Sequence, residues 1–234
     1  MTGVPDLAGA AWPELPERPL LVVPLGSVEQ HGHHLPFATD TVVAAAVARA
    51  AGLDAVLAPA LAYGASGEHE GFPGTVSIGT EALTTLLVEY GRSACRWAGR
   101  LLVVNGHGGN LDALRRAVPL LRTEGRDAAW FPCGVPGGDA HAGRTETSLL
   151  LHVEPEAVRT DRSVPGVTTP IGDLLPRLRA EGVRGVSPTG VLGDPAGASA
   201  AEGAGMLADL SARLRAAVAR WDVADDGRLR LPRG

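Results

Sequence analysis

Arg100-Leu-Leu-Val-Val-Asn-Gly-His-Gly-Gly-Asn110 decides how the rest of the chain is read. Four apolar residues in a row, with no polar alternation, predict a strand buried on both faces, as in a parallel sheet. A glycine-rich turn follows, and from Asn110 the residues Leu111, Leu114, Val118 and Leu121 recur at helical spacing. The same order appears on either side. Leu20-Leu-Val-Val-Pro-Leu25 reads as a strand, and a helix runs from Asp40, a helix-start acid, over Thr41 to Ala51. Asp54 to Leu61 reads as a strand, and Thr80 to Ala98 as an amphipathic helix carrying Leu83, Leu86, Leu87 and Tyr90. Ala128 to Phe131 begins a further strand. Strand and helix thus alternate three times, which predicts an α/β fold with a parallel sheet flanked by helices on both faces. Its ligand site is expected off the carboxyl ends of the strands. Helices are also expected near Thr145 to His152 and Ile171 to Glu181, and from Ala200 to Trp221. No internal repeat or linker divides the chain, so residues 1–234 are expected to form one domain, with 1–19 an N-terminal extension and 224–234 a tail.

Composition removes several classes of function. The 21 basic residues are all arginine, which excludes a Walker-type phosphate loop, a Schiff-base lysine and a Ser-Lys dyad. A net charge of -5 without a basic cluster argues against nucleic acid as a partner. Cys95 and Cys133 are too few for a disulfide framework, and no apolar run reaches signal or spanning length, so a cytoplasmic protein off the membrane is expected. Ser66 lies in Gly64-Ala-Ser-Gly67, which lacks the frame of a nucleophile elbow. Gly106 and Gly108 match the first glycines of a dinucleotide turn, but Leu111 stands where the third is required.

Polar residues cluster where the strands end. Glu29 and His31 are two apart in an extended segment, so they present an oxygen and a nitrogen to one point, with Asp40 nearby. His107 follows the strand ending at Val104. In Gly138-Asp-Ala-His141-Ala-Gly-Arg144-Thr-Glu146, Glu146 sits in a helix's first turn, either as a dipole partner or as a site residue. The stretch from Tyr63 to Thr75 holds Glu68 and His69 in a long polar loop expected to face substrate. Two carboxylates about 4 Å apart repel by roughly 4 kcal/mol at an effective dielectric of about 20. Converging Glu29, Asp40 and Glu146 would therefore need a cation. A nitrogen and oxygen donor set suits Zn(2+), Fe(2+) or Mn(2+). Such an ion activates water and polarises a carbonyl, the chemistry of amide hydrolysis, and an unligated His141 would carry the proton to the leaving nitrogen.

Glu29-Gln-His31-Gly-x-His34-Leu-Pro36, Asp40, Asn105-Gly-His107-Gly-Gly-Asn110 and His141-Ala-Gly-x-x-Glu146-Thr resemble the creatininase (creatinine amidohydrolase) family. The resemblance runs from about Leu20 to His152. It implies a metal-dependent hydrolase of an amide C–N bond, with one or two divalent ions per subunit in a homo-oligomeric ring, a hexamer being favoured. Carried over singly, Glu29, His31 and His107 match metal ligands, and Asp40 matches the carboxylate that bridges two ions. Creatininase has a glutamate where this chain has Gly109, which makes Glu146 the candidate substitute ligand. The tryptophans that close over creatinine's ring have no evident counterpart, Trp130 being the only indole near these motifs.

Within the family the chain is most similar to the mycofactocin-system peptidase branch, through Pro59-Ala-Leu-Ala-Tyr63-Gly-Ala-Ser-Gly-Glu-His69, Phe72-Pro-Gly-Thr75, Gly137 to Ser148 and Val186-Ser-Pro-x-Gly190-Val-Leu-Gly-Asp194. That likeness implies release of a C-terminal Val-Tyr dipeptide from a modified precursor peptide during redox-cofactor biosynthesis. A small-molecule cyclic amidohydrolase or a deformylase of the same family is the alternative. The peptide's terminal carboxylate needs a partner, and without lysine Arg144 is the candidate fork, with Glu68 and His69 lining the substrate loop.

Overall fold

The computed structural model describes residues 6–231. Strand β1, Leu20–Leu25, lies between β2, Val56–Leu57, and β3, Arg100–Asn105, and β4, Ala128–Pro132, is outermost beyond β3. All three pairings are parallel, in the order β2-β1-β3-β4. Successive strand residues pack into different cores. Val22, Leu102, Val104, Ala129 and Phe131 join one, together with α1 (Thr39–Ala50), α4 (Arg144–Val153) and α6 (Ala200–Arg220). Leu21, Val23, Leu101, Val103, Ala128 and Trp130 join the other, with α2 (Thr80–Ala94) and α3 (Leu111–Thr123). The unbroken apolar runs are explained by this, because each strand must supply both faces.

Five expectations need correction. The strand expected over Asp54 to Leu61 is regular only at Val56–Leu57. Ala58 N–H still donates to Val22 O at 2.8 Å, but the next bond to β1 comes from Leu61 N–H to Pro24 O at 2.9 Å, one residue later than a regular ladder places it, so the chain bulges at Pro59 and Ala60. Asp40 does not cap α1. The cap is Ala38, and Asp40 lies within the first turn, its carboxylate turned toward the strand ends. The last helix stops at Arg220, because Trp221 turns left-handed (φ 48°) and its indole donates to Asp127. Residues 224–231 of the expected tail dock along β4, with Leu229 N–H donating to Trp130 O at 2.9 Å and the Leu229 side chain buried. The remaining helix α5, Ile171–Val186, outruns its expected end at Glu181 and is broken at Gly182 (φ 66°).

Strand β1 connects to β2 on one side and has β3 on the other, so the chain reverses its direction of winding between β1 and β3. Loops leaving neighbouring strands at such a point diverge to opposite faces and leave a crevice at the carboxyl edge. Backbones approach closely there. A methyl group at Gly106 would stand 2.2 Å from Asp40 O, so glycine is required for space and not for an unusual backbone angle.

Candidate metal centre

Each strand sends its following loop to the same crevice. After β1 come Glu29, His31 and, in α1, Asp40; after β2, Glu68 and His69; after β3, His107; after β4, His141 and Glu146. Glu29, His31, Asp40, His69, His107 and His141 are all buried. The ligating atoms of Glu29, His31 and Asp40 lie within 4.8 Å of one another, and so do those of His31, His141 and Glu146 and those of Glu29, His69 and His141. His31 Nε2 is 3.2 Å from Asp40 Oδ1 and 3.8 Å from Glu146 Oε2. His107 spans two acids, with Nδ1 3.3 Å from Asp40 Oδ2 and Nε2 3.2 Å from Glu29 Oε2. Glu29 Oε1 faces His69 Nε2 at 3.2 Å and His141 Nδ1 at 3.8 Å.

Charge is divided unequally among the rings. Burial alone would lower the His31 pKa, but Asp40, with Glu146 and Glu29 behind it, reverses this and raises it to about 10. His107 likewise rises well above 6.5 against its burial, because Glu29 and Asp40 flank it. Burial, reinforced by the neighbouring cationic rings, lowers His69 and takes His141 down to about 4. Asp40 is held well below its usual value by His31 and His107 despite burial, whereas burial raises Glu146.

These residues fit a divalent ion on three grounds. Both carboxylate oxygens of Glu29 are buried and lack a hydrogen-bond partner, although ring nitrogens stand 3.2 Å away. His31 Nδ1–H is spent on Glu29 O at 3.1 Å, so its Nε2, facing two carboxylates, must hold either a proton or a metal. The donors are nitrogen and oxygen only, since burial and then the Asp40 charge push the Cys133 thiol up to about 12 and keep it protonated.

Glu146 accepts from Ala142 N–H at 2.6 Å and stands beside His31, so it borders the cluster from the α4 side. Glu68 Oε1 is 3.4 Å from His107 Nε2. At Gly109 a Cβ would meet Ala65 O at 2.3 Å, His107 Nε2 at 2.3 Å and Glu68 Oε1 at 2.6 Å, so the glycine leaves room for the Glu68 carboxylate. Arg144 does not join the group. Its side chain is half exposed and its Nε donates to Glu202 Oε2 at 2.8 Å. Arg144→Gln is therefore expected to change kcat/KM by less than about fivefold, the ceiling for an exposed ion pair worth about 1 kcal/mol; a larger rise in KM in a steady-state assay would place it on the substrate.

Sequence reasoning missed Gln30 and Ser27. Ser27 Oγ–H donates to Asp40 Oδ2 at 2.5 Å and fixes that carboxylate. Alternation in an extended segment points Gln30 away from Glu29 and His31, and its amide meets His69 and His141 at the ring nitrogens that Glu29 does not face.

Residues 8–218 match the creatininase family model, described as creatinine amidohydrolase. The chain belongs to the creatininase family. It is 57% identical to the mycofactocin precursor peptide peptidase of Mycolicibacterium smegmatis over 90% of this chain and 89% of that one. It is also 57% identical to the protein of that name from Mycobacterium tuberculosis, over 97% and 95%. Among solved structures, creatinine amidohydrolase (creatininase) aligns with a TM-score of 0.75 and 26% identity over 94% of this chain and 98% of that one. A creatininase mutant of Zn-Zn type aligns with a TM-score of 0.72 and 26% identity over 88% and 93%. The family's creatininase-like sheet and helices are thus present here. Trp130 is buried in the α2/α3 core with its indole N–H on Asp226 O, and does not line the crevice.

Proposed function

We propose that this family member is a metal-dependent peptidase that releases a C-terminal Val-Tyr dipeptide from the modified mycofactocin precursor peptide, a step of redox-cofactor biosynthesis. The reading is carried by one observation: the four imidazoles and the carboxylates of Glu29, Asp40 and Glu146 meet at the carboxyl edge of the sheet in a chain 57% identical to peptidases of that name. Glu29, His31, Asp40 and His107 would hold the ion, Fe(2+) or Zn(2+) with Mn(2+) also accepted, and Glu146 would serve a second one, giving one or two per subunit. When bound, such an ion lowers the pKa of water to about 7 and polarises a carbonyl. His141, neutral at pH 7, takes the proton of the attacking water and delivers it to the leaving amide nitrogen, with the Glu146 carboxylate within 4.8 Å of the ring as the second catalytic group. Glu68 and His69 border the substrate. The protein acts in the cytoplasm as a homo-oligomer, a hexamer being favoured. No helix among the described residues is long and apolar enough to cross a membrane.

The test is direct. Purified protein supplied with ferrous or zinc salt is expected to release the dipeptide from the modified precursor, seen by mass spectrometry, and to leave creatinine intact. Creatinine turnover without peptide cleavage would replace this reading with that of a cyclic amidohydrolase.

A further inference from the structure

The Gln30 side chain is buried and touches two histidines and two backbone groups. Its orientation is decided by the backbone. Gly32 N–H donates to Oε1 at 2.9 Å, and Gly190 O accepts from Nε2 at 3.0 Å, so oxygen and nitrogen cannot be exchanged. Once Gly190 takes one amide hydrogen, a single hydrogen remains. It faces His69 Nδ1 at 2.9 Å and His141 Nε2 at 3.0 Å.

The backbone also resolves that choice. His141 Nε2 lies 2.7 Å from Gln30 O, and a carbonyl only accepts, so this nitrogen carries a proton and cannot receive another. The remaining amide hydrogen therefore goes to His69 Nδ1, which must be bare, and the His69 proton sits on Nε2.

We infer that Gln30 is a positioning residue that sets opposite tautomers on two adjacent imidazoles, His69 presenting Nε2–H and His141 presenting a bare Nδ1. The rings lie 4.4 Å apart, centre to centre. These two nitrogens stand 3.2 and 3.8 Å from Glu29 Oε1. One amide thus places a donor and an acceptor side by side at the centre of the crevice. On the amide-hydrolysis reading proposed above, His141 Nδ1 is the atom that receives the proton. His69 Nε2–H is the donor for the oxygen that gains charge as the scissile carbonyl is attacked. A Cβ at position 190 would stand 1.9 Å from Gln30 Oε1, so any larger residue there would push the amide out of place.

Ring-nitrogen NMR of metal-free protein labelled with 15N-histidine reads the tautomers without any substrate, the signals being assigned by loss in His69→Gln and His141→Gln. Expected are a bare Nδ1 on His69 and a protonated Nε2 on His141. Gln30→Glu offers only acceptors, so it should move the His69 proton to Nδ1 and lower kcat by about 10–100-fold, the usual cost of removing a group that orients a site residue. KM and saturating metal content should be nearly unchanged. Should Gln30→Glu fail to fold, Gln30→Met reports on the same signals, with His69 expected to become a tautomer mixture. A wild-type His69 protonated on Nδ1, or variants with unaltered tautomers, would overturn the inference. Wild-type tautomers as stated in a protein that cleaves no peptide would instead sink the peptidase reading alone.

Discussion

Asp40→Asn is expected to reduce kcat/KM by roughly two to four powers of ten and to weaken metal binding measurably. Asp40 is buried, and its two oxygens face His31 Nε2 at 3.2 Å and His107 Nδ1 at 3.3 Å. Asparagine keeps the volume but replaces one acceptor with an NH2 group and removes the charge. The amide then opposes an imidazole N–H, or loses a ligand atom when a metal is present. Breaking one side of a buried charged cluster costs about 3–5 kcal/mol, and each 1.36 kcal/mol is about tenfold in rate. Steady-state kinetics and metal analysis of the same preparation would check this. Retained activity within about tenfold would remove Asp40 from the centre. Ser27→Ala, which loses only the 2.5 Å support of Oδ2, should produce a smaller loss of the same kind.

Metal affinity should climb steeply between pH 7 and 9. In the metal-free protein His31 is raised from 6.5 to about 10 and His107 is raised in the same direction, so both are cationic at neutral pH. An ion that takes their nitrogens must displace those protons, and apparent affinity rises about tenfold per pH unit for each proton released. Without metal the sign is opposite. A histidine with a raised folded pKa contributes stability that is complete below 6.5 and is lost as pH rises through about 10. The metal-free protein should thus melt progressively lower above neutral pH, while the metal-loaded protein keeps its melting temperature. Calorimetric titration in buffers of different ionisation heat would count the protons. A flat affinity over this range would show that the imidazoles are not ligands.

The order of strands and helices, and the side of the sheet on which chemistry occurs, are visible in the chain because both depend on short-range patterns. Leu20–Leu25 and Arg100–Asn105 read as buried strands since each must fill two cores, and helical spacing marks α2 and α3. Glu29 with His31 is legible because alternation in an extended segment is local. The failures are local patterns overruled from a distance. Asp40 has a helix-start sequence, yet Ser27, His31 and His107 draw its carboxylate away from the cap. Residues 224–231 look like a polar tail, yet the open edge of β4 supplies the hydrogen bonds that order them.

By itself the sequence determined which residue types could bind a metal and which chemistry they could not perform. With no lysine, no thiolate pair and no nucleophile elbow, nitrogen and oxygen ligands for amide hydrolysis remained. Only the tertiary structure decided which of the seven histidines face one another, that Arg144 turns to Glu202, and that Gln30 stands behind two rings. The reason is physical. Residue type and spacing act over a few bonds, whereas a tautomer or a displaced pKa depends on groups brought within about 3 Å by loops from four different strands.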